Sequence, residues 1–284
     1  MLTSWNEFLQ SFSTPILDEI FLTISNLGHE LIFMAAIAYI YLCIDKYKGL
    51  HLAIGLLSSF TLNNGIKHLF QIPRPFEYNK VLRRIDLYNS PGYSFPSAHA
   101  QLSASLATGI TYFYQKMGIV CCILAFLIGF SRIYLGVHTL VDVIVGFLLG
   151  SLWMLVSLKL SQLFLKHHRL WLFIYLVPCY LFYFVNHDIN LLKLTAVFTS
   201  FLIGFIIEDT YLQYQASLPL PASFKLLLLL IGCTIIKIPL DIVLPDNLFC
   251  TYLSYFLIGI WISLFCPWLL IIIKKFRYTK GQKV

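Results

Sequence analysis

The sequence is poor in charge: 12% of its 284 residues are Asp, Glu, Lys or Arg, whereas 59% are hydrophobic. A chain with so few charges and a mean hydropathy of +0.80 lacks the polar side chains that a water-exposed surface needs, which excludes a soluble globular protein. The first residues also lack the basic start and the small-residue cleavage site of a signal peptide. These absences indicate an integral membrane protein.

Cysteine pairs are missing as well. The seven cysteines include no CxxC pair and fall in or beside apolar runs, which predicts small buried side chains rather than a disulfide frame or a zinc site. The net charge of +7 would suit a nucleic acid, but the cations sit mostly in short loops beside apolar segments, where membrane orientation and anionic headgroups account for them. We therefore expect membrane lipids as partners and no nucleic acid.

Long apolar runs dominate the rest of the chain. Nine of them approach the roughly 20 residues that a bilayer-spanning helix needs. They cover residues 28–45, 50–72, 97–114, 118–136, 139–165, 170–186, 191–207, 224–244 and 249–273. Residues 1–27 are more polar, which favours an interfacial amphipathic helix, with an irregular first crossing as the alternative. The sequence thus predicts an all-α transmembrane helix bundle of about nine spans.

Basic residues indicate the orientation of this bundle. When the nine segments alternate, most cations between them fall on one side, which the positive-inside rule assigns to the cytoplasm. They are Lys46, Lys48, Lys116, Lys166, Arg169, Lys225, Lys274, Lys275, Arg277, Lys280 and Lys283. The opposite side receives residues 73–96, a loop that carries four cations against Glu77 and Asp86 and therefore suggests an anionic ligand.

Several polar residues interrupt the apolar pattern between positions 131 and 142. Ionisable side chains at membrane depth, here Arg132, His138 and Asp142, are functional by default. If the stretch is helical, His138 and Asp142 stack on one face, and the carboxylate accepts a hydrogen bond from one imidazole nitrogen and raises the basicity of the other. Such a histidine suits a nucleophile or a base. The alternative is a buried histidine that a carboxylate merely satisfies.

Two further clusters are predicted to reach the same face. Lys67 lies near the end of the second span, and Arg74 follows that span between two prolines. An ammonium group and a planar guanidinium are thus close together, a combination that suits phosphate. Alternatively, both residues only anchor the helix at the interface. Ser97, Ala98 and His99 open the third span, where backbone N–H groups, a hydroxyl and an imidazole form an anion site or an ordinary capped start.

In order and spacing, the three clusters resemble the signature of the type 2 phosphatidic acid phosphatase superfamily, which includes lipid phosphatases, glucose-6-phosphatase and vanadium haloperoxidases. That signature is K-x6-R-P, then P-S-G-H, then S-R-x5-H-x3-D. The chain matches it at Lys67, Arg74, Pro75, Pro96, Ser97, His99, Ser131, Arg132, His138 and Asp142, with Ala98 in place of the glycine. The resemblance covers about residues 28–165.

The resemblance implies a phosphatase that needs neither a metal nor another cofactor. His138 would attack phosphorus and form a phosphohistidine, Asp142 would orient it, and His99 would protonate the leaving oxygen and then activate water. The phosphate oxygens would be held by Lys67, Arg74, Ser97, Ala98 and Arg132. No Asp/Glu cluster lies near these motifs to bind a metal.

A lipid phosphate is the expected substrate, because a site at the outer ends of the spans leaves the lipid tail in the bilayer. Polyprenyl (di)phosphate, phosphatidate, phosphatidylglycerophosphate and sphingoid-base phosphates all remain candidates. A phosphotransferase would use the same intermediate, and a glucose-6-phosphatase-like enzyme would take a soluble sugar phosphate. A transporter is disfavoured, since its ionisable residues should be spread through the membrane depth.

Three parts of the chain are expected: an interfacial segment over residues 1–27, a phosphatase core over 28–168 and four additional transmembrane helices over 169–284. In these last helices Lys237 and Asp241 stand four residues apart and are expected to neutralise each other. The four helices are therefore expected to shape a lipid entrance or a dimer contact. We expect an integral protein of a bacterial cytoplasmic membrane with its site facing outward, and a homo-oligomer is left open.

Overall fold

The computed structural model describes residues 3–86, 92–243, 245 and 247–281, with side chains up to residue 275. The side chains of Arg277 and Lys280 and all of Lys283, which belong to the predicted basic tail, lie outside the described residues, as do residues 87–91 of the predicted outer loop. The described chain is helical and contains no β-strand, which confirms the all-α prediction.

Thirteen α-helices account for most of the described residues. They are α1 Ser4–Gln10, α2 Pro15–Asn26, α3 Glu30–Tyr39, α4 Lys46–Phe70, α5 Pro75–Tyr78, α6 Ala98–Phe113, α7 Gln115–Tyr134, α8 Leu140–His167, α9 Leu176–Asn186, α10 Ile189–Ile207, α11 Ala222–Val243, α12 Leu248–Ile260 and α13 Cys266–Gly281. Shorter helical segments of π or 3₁₀ type adjoin them at Ile40–Ile44, Arg169–Tyr175, Glu208–Leu212 and Trp261–Phe265.

Six stretches among the described helices have the length and composition to cross a bilayer. They are Gln115–Tyr134, Leu140–His167, Arg169–Asn186, Ile189–Leu212, Ala222–Val243 and Leu248–Lys275. Helix α2 and the segment Glu30–Ile44, bent by 45° at their junction, would together make a seventh. The integral membrane character is thereby confirmed, whereas the count of nine spans stays a prediction.

The chain forms two compact units. One comprises Met1–Met34 and Ser58–Leu160, and the other comprises Ala35–Leu57 and Ser161–Val284. All the residues of the three sequence motifs lie in the first unit. The predicted division at residues 27 and 168 is a functional one and stays a prediction.

Glycines bring α8 close to α6 in the first unit. A Cβ atom at Gly146 would lie 2.8 Å from the carbonyl oxygen of Ser97, and one at Gly150 would lie 2.1 Å from that of Gln101. Larger residues at either position would push the helices apart. Gln101 is also tied to α4, since its side chain donates to the carbonyl oxygen of Ser59 at 2.9 Å and accepts from Asn63 at 2.8 Å. The start of α6 is thus fixed against two neighbouring helices.

A buried ionic network organises the second unit. Lys46 donates to Glu208 at 3.0 Å and to Asp209 at 2.8 Å, and all three side chains are nearly inaccessible. Arg169 adds a second cation at 3.0 Å from Asp209. Burial of two carboxylates is tolerated because both are paired and hydrogen-bonded.

Candidate active site

Four helix ends of the first unit meet at one place. Lys67 lies in the last turn of α4, Ser97 caps the start of α6, Arg132 lies in the last turn of α7 and Asp142 lies in the first turn of α8. Hydrogen bonds link residues of all three motifs, from Arg74 to His138 and from Ser97 to Asp142. The structure therefore places together the residues that the sequence distributes over positions 67 to 142.

The stretch between α7 and α8 is a turn and not a helix. Gly136 within it has φ +76°, and a Cβ atom there would lie 2.7 Å from the carbonyl oxygen of Arg83. The turn therefore requires glycine on conformational and steric grounds. The sequence predicts that His138 and Asp142 stack on one helix face if the stretch is helical. That condition is not met, because α7 ends before Leu135 and α8 begins only at Leu140. The turn nevertheless brings His138 Nδ1 to 3.7 Å from Asp142 Oδ2.

His138 presents its other ring nitrogen to a cation. A terminal nitrogen of Arg74 lies 3.2 Å from His138 Nε2. Because arginine only donates, Nε2 accepts this hydrogen bond and the ring proton resides on Nδ1. Burial, together with the charges of Arg74, Lys67 and Arg132, holds the pKa of His138 well below its ordinary value. The imidazole is therefore neutral at physiological pH, with its Nε2 lone pair directed at the cationic side of the site.

Asp142 reaches His138 through a serine. The hydroxyl of Ser94 donates to Asp142 Oδ2 at 2.6 Å and lies 3.4 Å from His138 Nδ1. The same carboxylate oxygen accepts the N–H of Thr139 at 2.7 Å, and the Asp142 N–H donates to the Thr139 hydroxyl at 3.2 Å, a reciprocal cap of α8. Nothing in the sequence pattern marks Ser94, whose role depends on how the loop before α6 folds back.

Backbone carbonyls hold the cations of the first motif. Lys67 donates to the carbonyl oxygens of Tyr93 and Ser94, and Arg74 donates through Nε to that of Gly92 at 2.9 Å. Burial and the charge of Arg132 lower the pKa of Arg74 to about 10, so it remains a cation at neutral pH. Both side chains are therefore held in place by backbone carbonyl oxygens, without a carboxylate among these contacts.

Arg132 lies deeper than the other cations. Its side chain is fully buried and pairs with Asp86 at 2.6 Å, and it also donates to the hydroxyl of Ser25. Asp86 comes from the predicted outer loop and Ser25 from α2, and the sequence pattern assigns neither of them to the site. The charge of Arg132 is thus close to the site but is compensated by a carboxylate.

The start of α6 offers backbone donors. The Ser97 hydroxyl accepts from the Ala100 N–H at 3.5 Å, while the Ser97 N–H donates to the carbonyl oxygen of Asp142 at 3.1 Å. The N–H groups of Ala98 and His99, in the first turn, have no hydrogen-bond partner among the described residues. Such a terminus binds anions.

His99 projects from the same turn. Within the described part of the chain its ring makes no hydrogen bond, and it packs beside Gly28, where a Cβ atom would lie 2.9 Å from His99 Cδ2. Its ring is only partly accessible. The lack of a fixed partner leaves its nitrogens available to a ligand.

Helix α1 supports the turn between α7 and α8 that carries His138, a role that its amphipathic pattern does not reveal. The buried side chain of Asn6 donates to the carbonyl oxygens of Ile133 and His138, both at 2.8 Å. Gln10 donates to the carbonyl oxygen of Tyr134 at 3.0 Å. Residues 1–27 therefore contribute contacts to the site, and their interfacial placement stays a prediction.

The part of the chain that the structure describes contains no cluster of metal-ligating side chains. No three His, Cys, Asp or Glu side chains there are arranged to hold a metal ion. The donors around His138 are instead guanidinium, ammonium and backbone N–H groups, which suit an anion.

Comparisons with known proteins show which family the chain resembles. Residues 48–166 match the family described as the PAP2 superfamily, and residues 192–277 match the transmembrane extension of PAP2 superfamily phosphatases. An undecaprenyl-diphosphatase of Sulfolobus acidocaldarius is 29% identical over 141 residues, which are 49% of this chain and 68% of that protein. Phosphatidylglycerophosphatase B of Bacillus subtilis is 29% identical over 153 residues, which are 49% of this chain and 72% of that protein.

Among solved structures, that of Aquifex aeolicus LpxE is similar, with 27% identity and a TM-score of 0.49 over 54% of this chain and 91% of that one. The first family match contains every residue of the three motifs.

Proposed function

Because the chain belongs to the PAP2 superfamily and is a membrane phosphatase, we propose that it hydrolyses a lipid phosphate monoester or diphosphate through a phosphohistidine on His138. The observation that carries the proposal is the contact between Arg74 and His138 Nε2 at 3.2 Å. It sets a phosphate-binding donor directly beside an unprotonated nucleophile.

The reaction proceeds in two displacements. His138 Nε2 attacks phosphorus in line, a P–N bond forms as the bond to the leaving oxygen breaks, and His99 gives that oxygen a proton. In the second step His99 removes a proton from water as the water oxygen attacks phosphorus. The P–N bond then breaks, inorganic phosphate leaves, and His138 returns to its neutral form.

Charge stabilisation in this proposal comes from the protein. Lys67, Arg74 and the free N–H groups at the start of α6 hold the equatorial oxygens, and Ser97 fixes that start. Arg132 contributes its positive charge to the site without holding a phosphate oxygen through the terminal nitrogen that already donates to Asp86 and Ser25. Turnover is therefore expected to be independent of a metal ion.

The proposed substrate carries an apolar tail. Phe70 and Phe95 lie beside the first and second motifs with ring centroids 5.3 Å apart, and Phe70 is exposed. An acyl or prenyl chain would contact such side chains in the bilayer while the phosphate reaches Arg74. Relatives named for undecaprenyl diphosphate and for phosphatidylglycerophosphate make these two lipids the first substrates to test.

Phosphate release from a panel of lipid phosphates tests the proposal. The detergent-purified protein should release inorganic phosphate from at least one lipid equally with and without EDTA, and His138→Ala should release none. Chelator-sensitive turnover would contradict the metal-free mechanism. Transfer of label to an added lipid alcohol would identify a phosphotransferase, and preference for a soluble sugar phosphate would identify a glucose-6-phosphatase-like enzyme.

We also propose that the site faces away from the cytoplasm in a bacterial cytoplasmic membrane. The support is the charge distribution, since the predicted inner loops carry most of the cations. Intact cells that make the protein should then cleave a membrane-impermeant phosphate ester added outside. Cleavage only after permeabilisation would place the site inside.

For residues 169–284 we propose a supporting role, as part of the lipid entrance or of a homo-oligomer contact. Lys237 and Asp241 pair with each other across one helical turn, so these ionisable side chains need no ligand. Replacing both together, Lys237→Met with Asp241→Leu, should leave turnover on a short soluble ester unchanged. A large loss would assign chemistry to this region.

A further inference from the structure

Ser94 connects the first and third sequence motifs although it belongs to neither of them. Its N–H donates to the carbonyl oxygen of Ile72 at 2.8 Å and its carbonyl oxygen accepts from Lys67 at 3.4 Å, which ties it to the first motif. Its hydroxyl contacts His138 and Asp142 of the third motif. The side chain is almost completely buried, so these contacts are shielded from water.

The direction of each hydrogen bond follows from the donors available. Asp142, ionised, only accepts, so the single Ser94 hydroxyl proton points to Asp142 Oδ2 at 2.6 Å. Arg74 fixes the His138 ring proton on Nδ1, which lies 3.4 Å from the hydroxyl oxygen of Ser94 and also hydrogen-bonds the backbone of Ser94. Donation therefore runs from His138 through Ser94 to Asp142.

The direct route between histidine and carboxylate is longer than a hydrogen bond. Nδ1 of His138 lies 3.7 Å from the nearer oxygen of Asp142, too far for a hydrogen bond, whereas the Ser94 hydroxyl oxygen lies nearer, at 3.4 Å, in a long contact. That oxygen also already accepts the Thr139 N–H at 2.7 Å. The hydroxyl of Ser94 is the group placed to carry the influence of the carboxylate to the ring.

We propose that Ser94 is a positioning residue that couples the charge of Asp142 to His138, an inference that rests on the proposed phosphohistidine function. When Nε2 takes up the phosphoryl group, the ring becomes cationic and its Nδ1 proton stays in place. The polarised hydroxyl then stabilises that cation by accepting a stronger hydrogen bond. No proton moves along the chain of hydrogen bonds.

Substitution of the hydroxyl should affect the chemical step more than binding. Ser94→Ala should lower kcat by about 10- to 100-fold with little change in KM, as for other groups that orient a reacting side chain. Ser94→Thr keeps the hydroxyl and should restore most of kcat. Ser94→Cys keeps the size but is a weak donor, so it should resemble Ser94→Ala even if the alanine variant folds poorly. Ser103→Ala removes another buried hydroxyl, bonded to the carbonyl oxygen of Ala100, and should change nothing.

A double-mutant cycle separates coupling from general disturbance. If Ser94 acts through Asp142, the variant with Ser94→Ala and Asp142→Asn should be no slower than Asp142→Asn alone. Two independent roles would instead give multiplicative losses, which would overturn the proposal. Wild-type kcat in Ser94→Ala would do so as well.

The deciding experiment measures the reactivity of His138 without relying on turnover. The full-length protein in detergent is treated with diethyl pyrocarbonate, and carbethoxylation of His138 is followed by mass spectrometry. Ser94→Ala and Asp142→Asn should slow the reaction to a similar extent, whereas Ser94→Thr and Ser103→Ala should match the wild type. An unchanged rate in Ser94→Ala would overturn the role of Ser94. If no lipid phosphate is hydrolysed, the proposed function fails while this measurement still tests the coupling.

Discussion

A terminal nitrogen of Arg74 lies 3.2 Å from Nε2 of His138, the atom proposed to attack phosphorus. The same guanidinium is fixed by the carbonyl oxygens of Gly92 and Val137 at 2.9 and 3.0 Å. A phosphate that replaces His138 as the acceptor for Arg74 would present its phosphorus next to the imidazole. Substrate binding and nucleophilic attack thus depend on one arginine position.

The acid limb of the activity profile should lie below the ordinary histidine pKa of about 6.5. Burial, Arg74, Lys67 and Arg132 lower the pKa of His138, and the neutral imidazole is the reactive form. As pH falls, attack on phosphorus should therefore persist through 6.5 and fail only when the depressed folded-state pKa is reached. The measurement is kcat/KM for a soluble phosphate ester, assayed from about pH 4 to about pH 8.

The same electrostatic account predicts the effect of removing a cation. In Arg74→Gln the pKa of His138 should rise toward its ordinary range. Burial still opposes protonation of the ring, but only two nearby cations, Lys67 and Arg132, then add to it instead of three. A nuclear magnetic resonance titration of the His138 ring, isotopically labelled, checks this without turnover. An unchanged or lower pKa would show that Arg74 does not control the protonation of His138.

Asp86→Asn should destabilise the protein strongly. It removes the negative charge that pairs with the fully buried Arg132, and breaking a buried ion pair on one side costs about 3–5 kcal/mol. Arg83→Gln is the matched control, because Arg83 is mostly exposed where it pairs with Asp18 and should contribute at most about 1 kcal/mol. Reversible unfolding in detergent gives both values, and equal effects would contradict the assignment.

Asn6→Ala should weaken the turn between α7 and α8 that carries His138. The carbonyl oxygens of Ile133 and His138 both lose the Asn6 donor, although that of Ile133 keeps the Gly136 N–H at 3.1 Å, and the cost is about 1–3 kcal/mol. Turnover should fall because the backbone that carries His138 is less firmly held. Ser11→Ala, which loses only an exposed hydrogen bond to Phe8, is the control and should retain both stability and turnover. Wild-type activity in Asn6→Ala would show that the turn holds its shape without α1.

His99→Ala should discriminate between leaving groups. A nitrophenolate leaves without a proton whereas a lipid alkoxide does not, so this variant should lose far more activity on a lipid phosphate than on nitrophenyl phosphate. His138→Ala should lose both activities. Equal losses for His99→Ala, with the phosphoenzyme forming at the normal rate, would leave His99 only a water-activating role.

The sequence predicts the helical class and the membrane environment well, because apolar runs of bilayer length are typical of membrane-spanning helices. It also predicts which ionisable residues gather, since Lys67, Arg74, Arg132 and His138 each stand at the end of an apolar run. The contacts of Ser94, Asp86 and Asn6 are not predictable in this way. They depend on how the loop after α4 folds back and on how α1 packs, and both are determined by tertiary contacts between distant positions.

Geometry at the third motif shows the same limit. A spacing of four residues predicts a helical pair, yet Gly136 turns the chain between α7 and α8. His138 and Asp142 therefore lie close together, as predicted, but because of the turn and not because of a shared helix face. Their separation of 3.7 Å also follows from the turn, and Ser94 lies beside both side chains.

Trapping of the covalent intermediate tests the central claim most directly. The full-length protein is mixed with a ³²P-labelled lipid phosphate under single-turnover conditions and quenched with alkali, which preserves phosphohistidine. Peptide mapping should then find acid-labile label on His138, more of it in His99→Ala because water attack is slowed, and none in His138→Ala. Substrate consumed at the wild-type rate with no labelled peptide, or with label on another residue, would contradict the assignment of His138 as the nucleophile.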